Sequence, residues 1–592
     1  MGFFASRRLL IGLAMCVTVP GPALAQQGAV PNPPTSTDLD VARDDAGRQS
    51  PSTLSIEGDI ERGPCPLGDA SFANTRVTFS TVEFSGLPGV PASVLDAAWS
   101  DLSGRELPIA ALCEVRDRAA TILRNLGYLA AVQIPPQRID ANGTVRMDVL
   151  AAKLVEVQLR GEPGPSGKLI AAQLARLTER EWFNTREAER QLLLMEDMPG
   201  YTVRLVLRSA GGKPGEVVGD VLIERRAFEL VAGMQNLGSI ATGREAGFVA
   251  LTANDLIGLG DRTIVSFYNT FDWNEQRIIN LSHDLALNAD GLRLGVGVLF
   301  GRTQPDLGGA PFNTDSFTAE AYLSYPFIRR QSQSLFGTAG FEVVDQEVNF
   351  GDIMLSDDQL RVAYARLDYQ GVDRDSITGR NGFNGLEPRW RTAASLELRQ
   401  GIDGLGASDS CVPLSNCLPP NVPISNFAAD PSSFVARLDG QIEFRPAPRL
   451  TLAVAPRAQI SDGPLLSYEQ ASLGNYTIGR GLEPGVALGD SALGASFELR
   501  YGSIYPRRSN GFAVEPFAFL DWAKAWIDEA IVGPDPRDVA TAGFGARGRW
   551  GSVADFSVLL AFPLAPAGYQ TETGDPRLLF TLTTRLLPWG DR

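Results

Sequence analysis

The chain has one histidine, His283, among 592 residues. A Ser-His-Asp triad would rest on that residue alone, and a multi-histidine metal centre cannot be built, so His283 reads as an ordinary polar strand position. Basic residues are also in short supply. The sequence sets 53 Lys and Arg against 69 Asp and Glu, a formal charge of -16, with no basic run. A nucleic-acid surface needs the opposite balance. Beyond the N-terminal segment no stretch supplies the roughly 18 uninterrupted apolar residues of a membrane-spanning helix. Mean hydropathy is -0.04 and hydrophobic content 44%. A β-barrel has the same composition, because its strands alternate between lipid and lumen. Nucleotide chemistry is excluded by context. Gly543 to Gly548 spells G-x-G-x-x-G, but the adjoining Arg549 to Leu560 reads as strand rather than helix. Gly164 to Leu169 resembles a phosphate loop that lacks its first glycine, where Glu162 stands, and its Ser/Thr, where Leu169 stands. No nucleophile has a base to serve it, so neither an enzyme nor a bound cofactor or metal is expected.

What is present begins with an export signal. Arg7 and Arg8 precede an apolar run from Leu9 to Val19, and Ala23-Leu24-Ala25 is a small-x-small cleavage site, giving a signal peptide over 1–25. The bulky Met15 before Cys16 argues against a lipoprotein, and a barrel that crosses unfolded argues against the twin-arginine route. Removal of Cys16 leaves Cys65, Cys113, Cys411 and Cys417 in an oxidising compartment. Three pairings are open; proximity in sequence favours Cys411 with Cys417 and Cys65 with Cys113.

Residues 26–75 are rich in Pro, Ser, Thr and Asp without apolar period and read as a linker. From Val77 the order is strand, helix (Ser93 to Leu102), helix (Leu112 to Leu126), strand (Tyr128 to Ile134) and strand (Thr144 to Val149), the last two joined across Asn142-Gly143. A second copy comes next. It runs through Leu154 to Arg160, a helix over Lys168 to Leu177, and a helix opened by Asn184, with Glu187 placed for a capping box. Tyr201 to Leu207 and Val217 to Ile223 complete it. The chain therefore divides into modules over 76–153 and 154–226, then short alternating segments over 227–592. In Arg389 to Arg399 one parity carries Trp390, Thr392, Ala394, Leu396 and Leu398, and the other Arg391, Glu397 and Arg399. Such a strand suits lipid on one side and a wet lumen on the other, and the length allows on the order of 16 strands. The fold class is mainly β, a transmembrane barrel preceded by two α+β modules.

Within that barrel, Ser472 to Asp490 sets Arg480 between Gly479 and Gly481, followed by Leu482. Taken together, these features resemble the two-partner secretion outer-membrane transporters (TpsB), the hemolysin secretion and activation proteins of the ShlB/FhaC/HecB type. The residues that carry the resemblance are G-Y-L-A-A-V-Q-I-P-P-Q-R-I from Gly127, R-Q-L-L-L-M-E-D-M-P-G-Y from Arg190, N-L-G-S-I-A-T-G from Asn236, and L-I-G-L-G-D from Leu256. The resemblance covers about 75 to 590. It implies a signal peptide, two polypeptide-transport-associated (POTRA) modules, a 16-stranded outer-membrane barrel, and a loop folded into the lumen over 472–490 with a V-R-G-F/Y motif. Gly479 stands here for the branched residue and Leu482 for the aromatic. The family's F-x-D-x-G wall motif matches Phe519, Asp521 and Ala523, with alanine in place of glycine. Parity puts Leu520 and Trp522 on one face and Asp521 on the other, so Asp521 faces the lumen and pairs with Arg480.

The implied partner is a large secreted exoprotein of hemolysin or adhesin type, taken in extended form from the periplasm by strand addition to the modules. Segments 128–150 and 201–224 are the expected binding edges, with Tyr128, Pro135, Gln137, Pro199, Gly200 and Tyr201 as candidate contacts. The family often plugs its barrel with an N-terminal helix, for which Asp38 to Gln49 has room. Outer-membrane lipid is the other partner; no nucleic acid or nucleotide is expected. The rival functions are an outer-membrane assembly or insertase protein, which would carry more modules, and a passive porin.

Overall fold

The computed structural model describes residues 33–39, 55–57, 64–139, 143–379, 381–528, 537–568 and 570–587. The signal peptide, Asn142 and most of the linker, including 40–49 of the expected plug helix, lie outside these residues.

The first module is a sheet of β2 (Thr81–Ser85), β3 (Ala130–Gln133) and β4 (Thr144–Ala151), with β4 central, parallel to β2 and antiparallel to β3. Helix α1 (Ala111–Asn125) covers it, burying Leu112, Val115, Ala119 and Leu123 at i, i+3, i+4 spacing. The helix expected over 93–102 is instead a 3-10 helix over Ala92–Ala98. Its buried residues, Leu95 and Ala98, lie three apart, the period of the tighter helix, and turns over 99–104 follow it. Disulfides join Cys65 to Cys113, tying the linker's end to α1, and Cys411 to Cys417 within one surface loop.

The second module places β5 (Lys153–Arg160), β6 (Tyr201–Ser209) and β7 (Glu216–Arg225) in one sheet under α2 (Gly167–Thr178) and α3 (Thr185–Glu196). Asn184 caps α3 by accepting from the Arg186 amide. Glu187 does not complete a capping box. Its carboxylate pairs with Arg180 at 2.6 Å. A further strand, β1 (Ser55–Glu57), lies parallel along β6, so the linker supplies the fourth strand of this sheet.

Sixteen strands then close into an antiparallel barrel. In chain order they are β8 (Phe228–Gln235), β9 (Ala246–Asn254), β10 (Arg262–Thr270), β11 (Gln276–Ala286), β12 (Arg293–Thr303), β13 (Phe312–Arg329), β14 (Gln333–Phe350) and β15 (Ile353–Val372). The second half comprises β16 (Trp390–Gly401), β17 (Phe434–Ala447), β18 (Leu450–Ser461), β19 (Ser491–Tyr501), β20 (Phe512–Trp526), β21 (Arg537–Trp550), β22 (Ala554–Pro563) and β23 (Arg577–Leu587). The first strand pairs with the last, Gln235 opposite Thr581. Parity decides what each side chain meets. On β16, Trp390, Leu396 and Leu398 are exposed on the outer wall, whereas Arg399 is buried inside. Outward-facing Trp390, Phe444, Tyr501, Phe512 and Trp550 form an aromatic girdle at the end that bears the modules, the end expected to face the periplasm. His283 sits on β11, bonded through Nδ1 to the Thr263 hydroxyl at 2.9 Å.

The second module is joined to the barrel through the turn after β9. Asp255 has a positive φ of 55° and is completely buried. Its carboxylate accepts from the Tyr201 hydroxyl at 2.5 Å, from the Ser166 amide at 3.2 Å and from the Ser166 hydroxyl, with Arg225 3.5 Å away. Burial, and then the bond to Asp255, pushes the Tyr201 phenol above its ordinary range. Asp261 closes the same turn by accepting from the amides of Leu256 and Ile257 at 3.0 Å. Two further ion pairs, Arg176 with Asp290 and Arg329 with Asp197, bind the module to the next periplasmic turns.

Candidate functional site

The connection between β18 and β19 turns into the barrel instead of out into solvent. It first pairs Ala471–Leu473 with Ala487–Gly489 as a short hairpin. Leu473, Ile478 and Leu482 then bury against Ala523, Ala525 and Val539 of the wall. Two glycines permit the tip. Gly479 has φ 120°, which no β-branched residue adopts without strain. Gly481 has φ 93° and presses its Cα side against Ala561, leaving no room for a Cβ.

These glycines aim Arg480 at the wall. Its Nε donates to Asp521 Oδ2 at 2.9 Å, its Nη2 to Oδ1 at 2.6 Å and its backbone amide to Oδ2 at 3.0 Å. The guanidinium lies over the Phe519 ring, 3.9 Å from its centroid, and its Nη1 pairs with Glu498 of β19. Asp521 has no exposed surface, and Ala523 beside it is also fully buried. The structure therefore brings together Gly479, Arg480, Gly481 and Leu482 of the loop with Phe519, Asp521 and Ala523 of β20.

Sequence reasoning does not single out Glu498, although its position on the lumen-facing parity of β19, directly opposite Phe519, is the signal that could have found it. It also accepts from Arg500 and Arg547, each at 2.7 Å. Two more carboxylates of the connection hold it at other points. Glu469 accepts from Arg399 of β16 at 2.6 Å and from Arg437 of β17 at 2.8 Å. Glu483 accepts from the Ile240 amide at 2.8 Å, from Arg577 of β23 at 3.0 Å and from Arg244 at 3.3 Å. These last donors belong to the last barrel strand and to the loop after the first. Asn236 ties the same seam, accepting from the Phe580 amide and donating to the Leu578 carbonyl.

Residues 33–39 also lie inside the barrel. Thr35 opens a helical turn over 36–39, its amide and hydroxyl donating to Asp38 at 3.0 and 2.8 Å. Leu39 packs among Phe248, Tyr268, Ile278 and Leu299 of the inner wall, and Gln346 donates to the Pro34 carbonyl at 2.9 Å.

The module residues proposed from sequence as substrate contacts fall in two places. Pro199, Gly200 and Tyr201 enter the joint with the barrel, where the Gly200 carbonyl accepts from the Arg226 amide. Tyr128 bridges to Asn184 of the second module. Gln137 bonds through its amide to both backbone groups of Arg146 at 2.7 Å and to the Pro135 carbonyl, continuing the pairing of β4 past the end of β3. Strand β3 is an edge of its sheet, whereas β6 is flanked by β1 and β7.

No family model matches the chain. Among curated proteins it is 28% identical over 269 residues to the heme/hemopexin transporter protein HuxB of Haemophilus influenzae strain 86-028NP. That match takes in 44% of this chain and 45% of the relative, so the chain spans about half the length of the curated relatives it matches. Among solved structures, CdiB from Escherichia coli aligns with a TM-score of 0.67 at 17% identity, over 90% of this chain and 94% of that one. CdiB from Acinetobacter baumannii aligns at 0.60 and 14% identity, over 92% and 95%. The shared architecture is a closed β-barrel preceded by α+β modules.

Proposed function

We infer that the chain, a two-partner secretion transporter by its motifs, its fold and its sequence relatives, is an outer-membrane pore that takes a large partner exoprotein in extended form from the periplasm to the cell surface. The observation that supports this best is the lumen loop held by Arg480 on Asp521 inside a closed barrel. A passive porin has no use for two modules at its mouth. We take residues 76–153 and 154–226 as POTRA modules, 227–592 as the barrel and 472–490 as its gate. The exoprotein adds as a strand to the open edge of β3, and the β6 edge becomes available when β1 leaves it.

The chemistry is that of a clasp. A solvated ion pair contributes roughly 0 to 1 kcal/mol, whereas removing one partner of a buried pair costs roughly 3 to 5 kcal/mol. Arg480 is mostly buried on a fully buried Asp521, so the resting loop is held firmly. A chain entering the lumen displaces it only by replacing those contacts. Secretion of the exported protein encoded beside this one is the test. Deleting 76–226 should abolish it, and Arg480→Ala should abolish it and alter single-channel conductance. Unchanged secretion and conductance in Arg480→Ala would refute the gate.

A further inference from the structure

Strand β15 begins at Ile353, whereas its neighbour β16 ends at Gly401, opposite Val362, so residues 353–361 extend beyond β16. A strand edge that runs on alone leaves amides and carbonyls to be satisfied. The connection after β16, residues 402–433, takes up that edge. The Ser408 amide donates to the Gln359 carbonyl and the Gln359 amide to the Ser408 hydroxyl, both at 2.9 Å. The Ile402 amide donates to the Arg361 carbonyl at 2.8 Å, and the Asp357 amide to the Pro423 carbonyl at 2.9 Å. Further along, the Ser425 amide donates to Asp358 Oδ1 at 2.7 Å. Between these two arms the disulfide of Cys411 and Cys417 staples the connection, and both cysteines are buried.

The same connection grips the lumen loop near its start. Asn426 Nδ2 donates to the Leu465 carbonyl at 3.0 Å, the Ser467 amide to the Ser425 hydroxyl at 3.1 Å, and the Asp430 amide to the Pro464 carbonyl at 3.3 Å. Cys411, Cys417, Ile424 and Ala429 share one buried cluster with Leu466 and Tyr468 of that loop and with Leu360 and Val362 of β15. The Leu465 amide in turn donates to Asp490 Oδ1 at 3.0 Å, so the two ends of the lumen loop meet beside the connection. Glu469, bonded to Arg399 and Arg437, adds to the hold on this root. The bonds from 425–430 to the root join neutral groups. Arg480 and Glu483 hold the hairpin over 471–489 by ion pairs, with which charged groups on an entering chain can exchange.

We propose that residues 402–433 form a fixed bracket, so that the gate opens by turning its hairpin, 471–489, about Leu465 and Asp490 while the root stays on the wall. The proposal rests on the reading of 472–490 as the gate and adds which part of that loop moves. A root bonded to a stapled segment, itself bonded along β15, gives way only when several contacts break together.

Hydrogen exchange of the full chain in detergent tests the bracket. Arg480→Ala should speed exchange over 472–489 by about tenfold or more and leave 465–470 within about twofold of the parent. Ser425→Ala with Asn426→Ala removes two side-chain bonds to the root and should speed exchange over 465–470 by about tenfold. Cys411→Ala with Cys417→Ala loosens the bracket at a distance and should speed it by a smaller factor. If the Ser425 and Asn426 variant loses heat-modifiable migration, Asn426→Ala serves alone, with a rise of roughly threefold expected. Exchange over 465–470 that rises as much as that over 472–489 in Arg480→Ala, or that stays at the parent's rate in the bracket variants, would overturn the proposal. A failed gate reads differently, as unchanged exchange over 472–489 and unchanged secretion in Arg480→Ala.

Discussion

Arg480 holds Asp521 through two side-chain nitrogens and its own amide while resting on the Phe519 ring. Lysine can supply the charge but neither the fork nor the flat face. Arg480→Lys should therefore release the loop almost as fully as Arg480→Ala, read as faster protease cleavage within 472–490. Asp521→Asn should release it as well. The double variant Arg480→Ala with Asp521→Asn should be no looser than either single change, a coupling of about 3 kcal/mol. Additive effects would show that the two residues act separately. The pair is legible in the sequence because a glycine-flanked arginine and the parity of β20 are local patterns. Glu498 is not, because a carboxylate on a strand of mixed charge resembles any lumen-facing residue until the register places it opposite Phe519.

At the scale of elements, the fastenings of the lumen loop include β16 and β17 through Glu469, β19 and β20 through Arg480, and the seam through Glu483. Glu483 couples the loop to the closure between β8 and β23. Glu483→Ala leaves Arg577 and Arg244 without this shared acceptor. It should lower the temperature at which the barrel loses compact migration in detergent gels, whereas Leu466→Ala, which lies away from the seam, should leave β8 and β23 unaffected in hydrogen exchange. An unchanged transition for Glu483→Ala would sink the coupling. The barrel strands are readable because their period of two is set by lipid on one side and water on the other. The path of the loop and the addition of β1 to β6 are not, because both depend on backbone contacts between residues distant in sequence and leave no period. The helix expected over 93–102 is shorter in the structure because two apolar residues three apart satisfy either helical period.

At the scale of the whole molecule, a buried carboxylate sits where the arm meets the pore. Asp255→Ala strands the amide and hydroxyl of Ser166, while the Tyr201 hydroxyl keeps the Pro163 carbonyl at 2.7 Å, and should cost the joint roughly 3 kcal/mol, since each stranded buried donor costs about 1 to 3. Distances measured by paired spin labels on α2 and β12 should broaden in the variant and remain sharp in the parent. The Tyr201 phenol, raised above its ordinary range, keeps its proton through neutral pH. A group whose folded pKa is raised contributes fully below its unfolded pKa and loses that contribution as pH climbs toward the folded one. The joint should thus be insensitive to pH up to about 10, the unfolded phenol's value, and loosen only above it. Spin-label distances that changed between about pH 6 and pH 9 would contradict this.

The segment 33–39 adds a constraint of a different kind. It lies among inner-wall residues near the extracellular half of the barrel, yet the chain returns outside the pore by 55–57, where it borders the second module. The fifteen residues between, 40–54, reach at most about 55 Å even when fully drawn out. That span limits how far 33–39 can rise toward the extracellular side while 55–57 stays on the sheet, and it slackens when 33–39 moves back toward the modules. It also sets an order of construction. The last strand must close around a thread already in place, or the thread must climb in from below afterwards, and the two histories leave different intermediates with the seam open or the lumen empty.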